Sequence, residues 1–105
     1  MLPLKQSSAL DDVQRYVAEM EEERGFSDST VLEQGLKLGE EVGELFKAIR
    51  KREQMSIDAT SITGTVDEEL ADVLIYLCAI ANRFGISLDE ALRNKEALNE
   101  TRTWV

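Results

Sequence analysis

Apolar residues in this chain recur every three or four positions over stretches long enough for helices, and no stretch alternates convincingly in the manner of a strand. The two strongest runs are Leu38 to Ile49 and Val66 to Phe84, and each carries a pair of acids three residues apart. Glu41 and Glu44 form the first pair; Glu69 and Asp72 form the second. A step of three puts both members of a pair on the same side of a helix. Four carboxylates held near one another repel strongly unless protons or cations intervene. The chain contains no histidine, which leaves oxygen as the main ligand type. Hard oxygen ligands point to Mg²⁺ or Mn²⁺ and to phosphate chemistry.

The periodicity predicts four helices. The first covers roughly residues 9–23, capped by Ser8, with a stripe of Leu10, Val13, Val17 and Met20. Arg24-Gly25 stops it, and Asp28 or Ser29 caps the next. The second runs from about Thr30 to Glu53 with a core stripe of Val31, Leu38, Val42, Leu45, Phe46 and Ile49, and Glu41 and Glu44 lie on one flank of it. Gly35, Gly39 and Gly43 recur every four residues there, each costing about 1 kcal/mol against alanine, which suggests a close approach by another helix or a ligand. Residues 54–64 are a polar connection whose Met55, Ile57 and Ile62 are candidates to tuck into a neighbouring surface. Thr65 and Glu68 form a capping box for the third helix, which ends near Arg83 or Phe84 at Gly85. Glu69, Asp72, Tyr76 and Arg83 fall along one flank of its apolar face. Ser87 and Glu90 open a fourth helix reaching about Arg102, and Trp104 is expected to dock on the body or on a partner subunit. The expected architecture is all-α, most simply a four-helix bundle.

With 105 residues, the chain is one domain, residues 1–105. Its net charge of -9 disfavours a nucleic-acid polymer or an anionic membrane as partner. A small phosphorylated substrate remains compatible, because bound cations reverse the local field. The lone Cys78 reads as a buried structural thiol, and without histidine neither Cys-His nor Ser-His-Asp catalysis is available within one chain. No secretory signal pattern and no apolar run of transmembrane length is expected, so the cytoplasm is the natural location. A carboxylate-bridged di-iron bundle needs Glu-x-x-His pairs, and a calcium helix-loop-helix needs a twelve-residue oxygen-rich loop with a central glycine; neither is present. What remains is a solvated acidic face, or metal-assisted attack on a phosphate with both acid pairs aimed into one cleft.

The runs Leu38-Gly39-Glu40-Glu41-Val42-Gly43-Glu44-Leu45 and Glu68-Glu69-Leu70-Ala71-Asp72-Val73-Leu74 resemble the two signatures of the MazG-like, all-α nucleoside triphosphate pyrophosphohydrolases, Glu-Glu-x-x-Glu on one helix and Glu-x-x-Asp on the next. The resemblance covers about residues 30–102. It implies the four-helix fold of that family, and hydrolysis of a nucleoside triphosphate, a (deoxy)nucleotide or modified nucleotide, between its α and β phosphates to a monophosphate and pyrophosphate. It also implies Mg²⁺, replaceable by Mn²⁺, and assembly as a homodimer or homotetramer with sites near subunit contacts. By position, Glu41, Glu44, Glu69 and Asp72 would be the metal ligands, and Glu40 the additional acid assisting a metal or the attacking water. Lys95, Asn99 and Arg102, spaced four and three apart, would touch substrate phosphate or sugar. Tyr76, one turn beyond Asp72, stands near the expected site, where it or Phe26 or Trp104 could stack on a base. Arg83 and Lys37 are weaker candidates. An acidic helical interaction module and a nucleotide-binding regulator with little turnover are the alternatives.

Overall fold

The computed structural model describes residues 4–102. Four helices follow one another: α1 (Leu10–Arg24), α2 (Val31–Arg52), α3 (Val66–Arg83) and α4 (Leu88–Asn99). No strand occurs among the described residues, so the all-α expectation holds. Trp104 lies outside the described residues.

Local chemistry sets the ends of each helix. Thr30 caps α2: its hydroxyl accepts the Glu33 amide while the Glu33 carboxylate accepts from the Thr30 amide, the reciprocal pairing of a capping box. Thr65 and Ser87 accept the amides of Glu68 and Glu90 at α3 and α4, but the return bond to the glutamate carboxylate that would complete the expected capping boxes is not formed among the described residues. Two caps differ from expectation. Ala9, not Ser8, precedes α1, and the Asp12 carboxylate takes the Ala9 amide at 3.2 Å. Thr30 replaces Asp28 or Ser29 as the cap of α2. Helix α1 closes at Gly25 in the left-handed conformation (φ 78°), where the absence of a Cβ removes the steric cost. Arg50, Lys51 and Arg52 in the last turn of α2 complement its dipole.

Helices α2 and α3 form the main packed pair, α1 lies on α3, and α4 lies on α1. The core gathers around Val17, Met20, Cys78 and Ala79, with Val13, Tyr16, Ile75 and Leu88 packed against it. Cys78 is completely buried, as expected of a structural thiol, and burial pushes its pKa up.

Buried polar groups fix how α1 meets α3. Arg83 donates to both carboxylate oxygens of Glu21, at 3.0 and 2.5 Å, and to the carbonyls of Ser29 (2.7 Å), Ala79 (2.9 Å) and Phe26 (3.1 Å). The two side chains keep only 13% and 8% of their exposure. One guanidinium thus ties α1, the α1–α2 turn and α3 together, which is the planar, many-donor recognition that arginine provides. Gln14 makes a second clasp. Its amide nitrogen donates to Asn82 Oδ1 (3.1 Å) and the Ile86 carbonyl (2.8 Å), its oxygen accepts the Leu88 amide (2.7 Å), and Asn82 donates back to the Gln14 carbonyl (2.9 Å).

The single chain leaves much apolar surface uncovered. Phe46 and Ile49, expected in the core, are 59% and 41% exposed. In the connection Met55 and Ile62 are exposed, and of the three expected to tuck in only Ile57 is half-buried. A Cβ built on Gly35, Gly39 or Gly43 would meet nothing within 4 Å, so the close approach their spacing suggested is not made inside one chain. The radius of gyration is 16.3 Å, against about 13 Å for a compact chain of this length. The accessible surface is 7955 Å², against about 5,900 Å² for a compact monomer of this mass.

Arg83→Met should cost about 3 kcal/mol or more in urea unfolding, because it leaves the Glu21 carboxylate buried without its partner. Replacing both residues together, Glu21→Leu with Arg83→Met, should recover the part of that loss that comes from the unpaired carboxylate, and not the part from the carbonyl bonds. A cost for the single variant below about 1 kcal/mol would put the pair among surface ion pairs and contradict its role as a clasp.

Candidate metal centre

The α2–α3 pairing brings acids from both helices to one point. Ligand oxygens of Glu41, Glu69 and Asp72 all lie within 4.8 Å of one another. Their positions follow from helix phase. Glu41 sits two turns after buried Gln34 and two turns before buried Ala48, on the seam of α2 that faces α3. Glu69 and Asp72 occupy adjacent turns at the start of α3.

Glu69 is the most enclosed of the three, at 8% exposure, and its Oε2 has no hydrogen-bond partner among the described residues. Gly64 backs it: a Cβ there would collide with the Glu69 carboxylate. Thr63 Oγ1, just before Gly64, is also buried and unpaired among the described residues. Buried polar atoms are nearly always satisfied, so an orphaned carboxylate oxygen beside two more carboxylates fits a cation. The strain on the cluster shows in Glu41, whose pKa is raised. Burial is the largest cause, followed by a hydrogen bond with Glu69 and the negative charges of Asp72, Glu69 and Glu44. The donor set is oxygen only, suited to a hard divalent ion.

The remaining expected site residues fall in different places. Glu44 is close enough for its charge to act on Glu41, and Lys47 Nζ lies 3.5 Å from its Oε1. Glu40 is exposed on α2, beside but outside the three-carboxylate group. Tyr76 joins Asp72 in the wall of a cavity of about 220 Å³ that also reaches Phe26 and Lys37. Lys95 and Asn99 stand on α4, and Arg102 lies beyond its last residue rather than within it. Because α4 packs on α1 rather than on the α2–α3 pair, one chain does not bring these three to the acids. Asn99 Nδ2 donates to Glu96 (3.1 Å), and its Oδ1 is buried without a partner among the described residues. Arg83 belongs to the clasp, although its Glu21 partner also lines the cavity.

Residues 27–102 match the model of the family described as MazG nucleotide pyrophosphohydrolase domain. This chain belongs to the MazG family. A dATP/dGTP diphosphohydrolase of Salmonella phage PMBT28 is 36% identical over 98 residues, which is 93% of this chain and 29% of that protein. A dATP/dGTP diphosphohydrolase of cyanophage S-2L is 35% identical over 68 residues, 65% of this chain and 52% of that protein. The chain therefore spans about a third and about half of the lengths of these two relatives. The crystal structure of iMazG from Vibrio DAT 722 matches with a TM-score of 0.65 at 34% identity, covering 91% of this chain and 98% of that one. Family membership supports a hydrolase function in general terms, and the three-carboxylate group is one that can coordinate a divalent metal.

The raised pKa of Glu41 fixes the sign of a pH effect. The folded state holds the Glu41 proton more tightly than the unfolded chain does. The resulting stabilisation is complete below the ordinary glutamate value of 4.5 and is lost as pH rises through the raised value. Glu41→Gln, which copies the protonated form, should therefore gain stability relative to wild type as pH climbs from about 4 to about 7 in chelator. Parallel melting curves for the two proteins across that range would contradict a repelling cluster.

Proposed function

We propose that this chain hydrolyses a nucleoside triphosphate between the α and β phosphates, releasing the monophosphate and pyrophosphate, with Mg²⁺ or Mn²⁺ bound. The observation that carries the proposal is the meeting of Glu41, Glu69 and Asp72 around the unpaired Glu69 oxygen. Family membership supports the reaction class. The two phage relatives are dATP/dGTP diphosphohydrolases, which makes a purine deoxynucleoside triphosphate the first substrate to try.

Glu41, Glu69 and Asp72 would hold the ion, and Glu44 would join them by exchanging its contact with Lys47. When bound, a divalent ion offsets the mutual repulsion of the acids, neutralises phosphate charge and lowers the pKa of a coordinated water. Glu40 is the added acid that would accept or relay a proton at the solvent edge of the group. Tyr76 and Phe26, in the cavity beside Asp72, would hold the nucleoside portion, keeping the phosphates towards the acids.

Self-association is part of the same proposal, as a homodimer or homotetramer. Leu32, Leu36 and Phe46 flank the open glycine stripe of α2, and Leu70, Leu74, Leu77 and Phe84 form a parallel exposed stripe on α3. A second copy covering these faces would remove the excess surface. Lys95, Asn99 and Arg102 would then meet phosphate or sugar from a neighbouring subunit.

Incubation of the chain with Mg²⁺ and a panel of canonical and modified triphosphates should yield the monophosphate and pyrophosphate. Asp72→Asn should lower turnover by at least about a hundredfold while the far-ultraviolet circular dichroism stays helical. Inorganic phosphate with a diphosphate as products, or full turnover in excess chelator, would refute the assignment. Phe46→Glu combined with Leu74→Glu should lower the mass seen by light scattering to that of one chain. A wild-type protein already monomeric at high micromolar concentration would remove the shared-site part of the proposal.

A further inference from the structure

Gln34 has no role in the metal centre, yet it occupies a core position. It is 4% exposed, lies on the α3-facing seam of α2, and its side-chain amide has no hydrogen-bond partner among the described residues. It lines the same cavity as Asp72, Tyr76 and Phe26. Its primary amide, with two donors and an acceptor, opens onto that cavity and is available to a ligand there. Ile75 and Ala79 stand beside Tyr76 in that wall, which also carries the charged Glu21, Arg24 and Lys37. At about 220 Å³ the space falls below the roughly 300–1,000 Å³ of pockets for whole drug-sized ligands and suits a single flat ring system.

The register along α2 supplies the second constraint. Gln34 precedes Glu41 by seven residues, which returns to nearly the same face about 10.5 Å further along the axis. A ligand anchored by phosphate near Glu41 and lying along the seam presents its far end to Gln34. For a nucleotide, that far end is the base.

We infer that Gln34 reads the hydrogen-bonding edge of the nucleobase, with its amide paired in-plane to adjacent donor and acceptor atoms of the base while Tyr76 and Phe26 border the ring. Gln34 is thus a specificity-determining residue, resting on the proposal that the acidic centre hydrolyses nucleoside triphosphates. An amide presents one donor and one acceptor side by side, and it pairs with the adenine edge in this way in other settings. Rotation of the amide by half a turn exchanges the two, so the same side chain serves a base with an amino group or an oxo group at the ring position it faces. Gln34 therefore separates bases with a paired donor and acceptor from ligands without them, rather than amino from oxo bases.

The test uses the full chain with Mg²⁺, the four deoxynucleoside triphosphates and the base-less 2-deoxyribose 5-triphosphate. Wild type should prefer at least one base-bearing substrate over the base-less one in kcat/KM. Gln34→Leu, similar in volume and apolar, should lower kcat/KM for that preferred substrate by about tenfold or more, mainly through KM, and leave the base-less substrate within about twofold. Where leucine prevents folding by circular dichroism, Gln34→Met provides the same loss of the amide on an unbranched chain. An equal fall on all substrates, or no fall on any, overturns the assignment of Gln34 and leaves the hydrolase reading standing. A wild type that cleaves every substrate at the base-less rate does the same. A wild type that cleaves none of them overturns both.

Discussion

One guanidinium organises the region around the site. Arg83 satisfies a buried carboxylate and three main-chain carbonyls from three different segments. The Glu21 carboxylate is buried, and without the guanidinium it would lose its charged partner at a cost of about 3–5 kcal/mol. Because the fork is planar and fixed, satisfying the carboxylate and the carbonyls at once leaves little freedom in how α1 and the α1–α2 turn sit on α3. That turn carries Phe26 and Ser29, and Glu21 itself lines the cavity next to Asp72. The clasp is therefore both a packing device and the rear wall of the space where a ligand would lie.

The acidic centre has the opposite character. Its three carboxylates face one another with an unpaired oxygen at the most enclosed position, and Glu41 holds its proton more tightly as a result. Arg83 completes its surroundings within the chain, whereas the acids are completed only by something positive from outside. The same incompleteness appears on a larger scale in the apolar stripes of α2 and α3. Their leucines and phenylalanines are exposed beside glycines that touch nothing. A small domain that leaves this much apolar surface open is marginal alone, and an ion, a nucleotide and a second copy would each add the contacts that one chain lacks.

Much of this was legible in the residues. The four helices, the Thr65 and Ser87 caps, the stop at Gly25 and the buried thiol of Cys78 follow from patterns within a few positions, and they are found as read. The acid pairs were also legible, since a three-residue step on the flank of an apolar stripe places both members near a helix seam. Four features were less accessible. Glu21 stood in a run of charges at the end of α1, although it shares a face with Gln14 and Val17, and that shared face was the available signal. Arg83 read only as a weaker candidate for the site, because nothing local names its partner 62 residues away. Gln34 sits in heptad register with Glu41 and Ala48, a polar side chain at a seam position, which is detectable once the seam is known. Phe46 and Ile49 were assigned to the core because a period of 3.6 shows that a face is apolar without showing what covers it.

The sequence by itself determined the helices, their ends and the presence of carboxylates at seam positions, because propensity, capping and periodicity act over one or two turns. Only the tertiary structure decided which acids meet, that Glu69 is the enclosed one, that Arg83 is a clasp, and that α4 packs on α1 rather than beside the acids. Those outcomes depend on the angle and register at which helices distant in sequence pack, and these are settled by buried polar partners and side-chain shape across the interface. No local pattern along the chain encodes them.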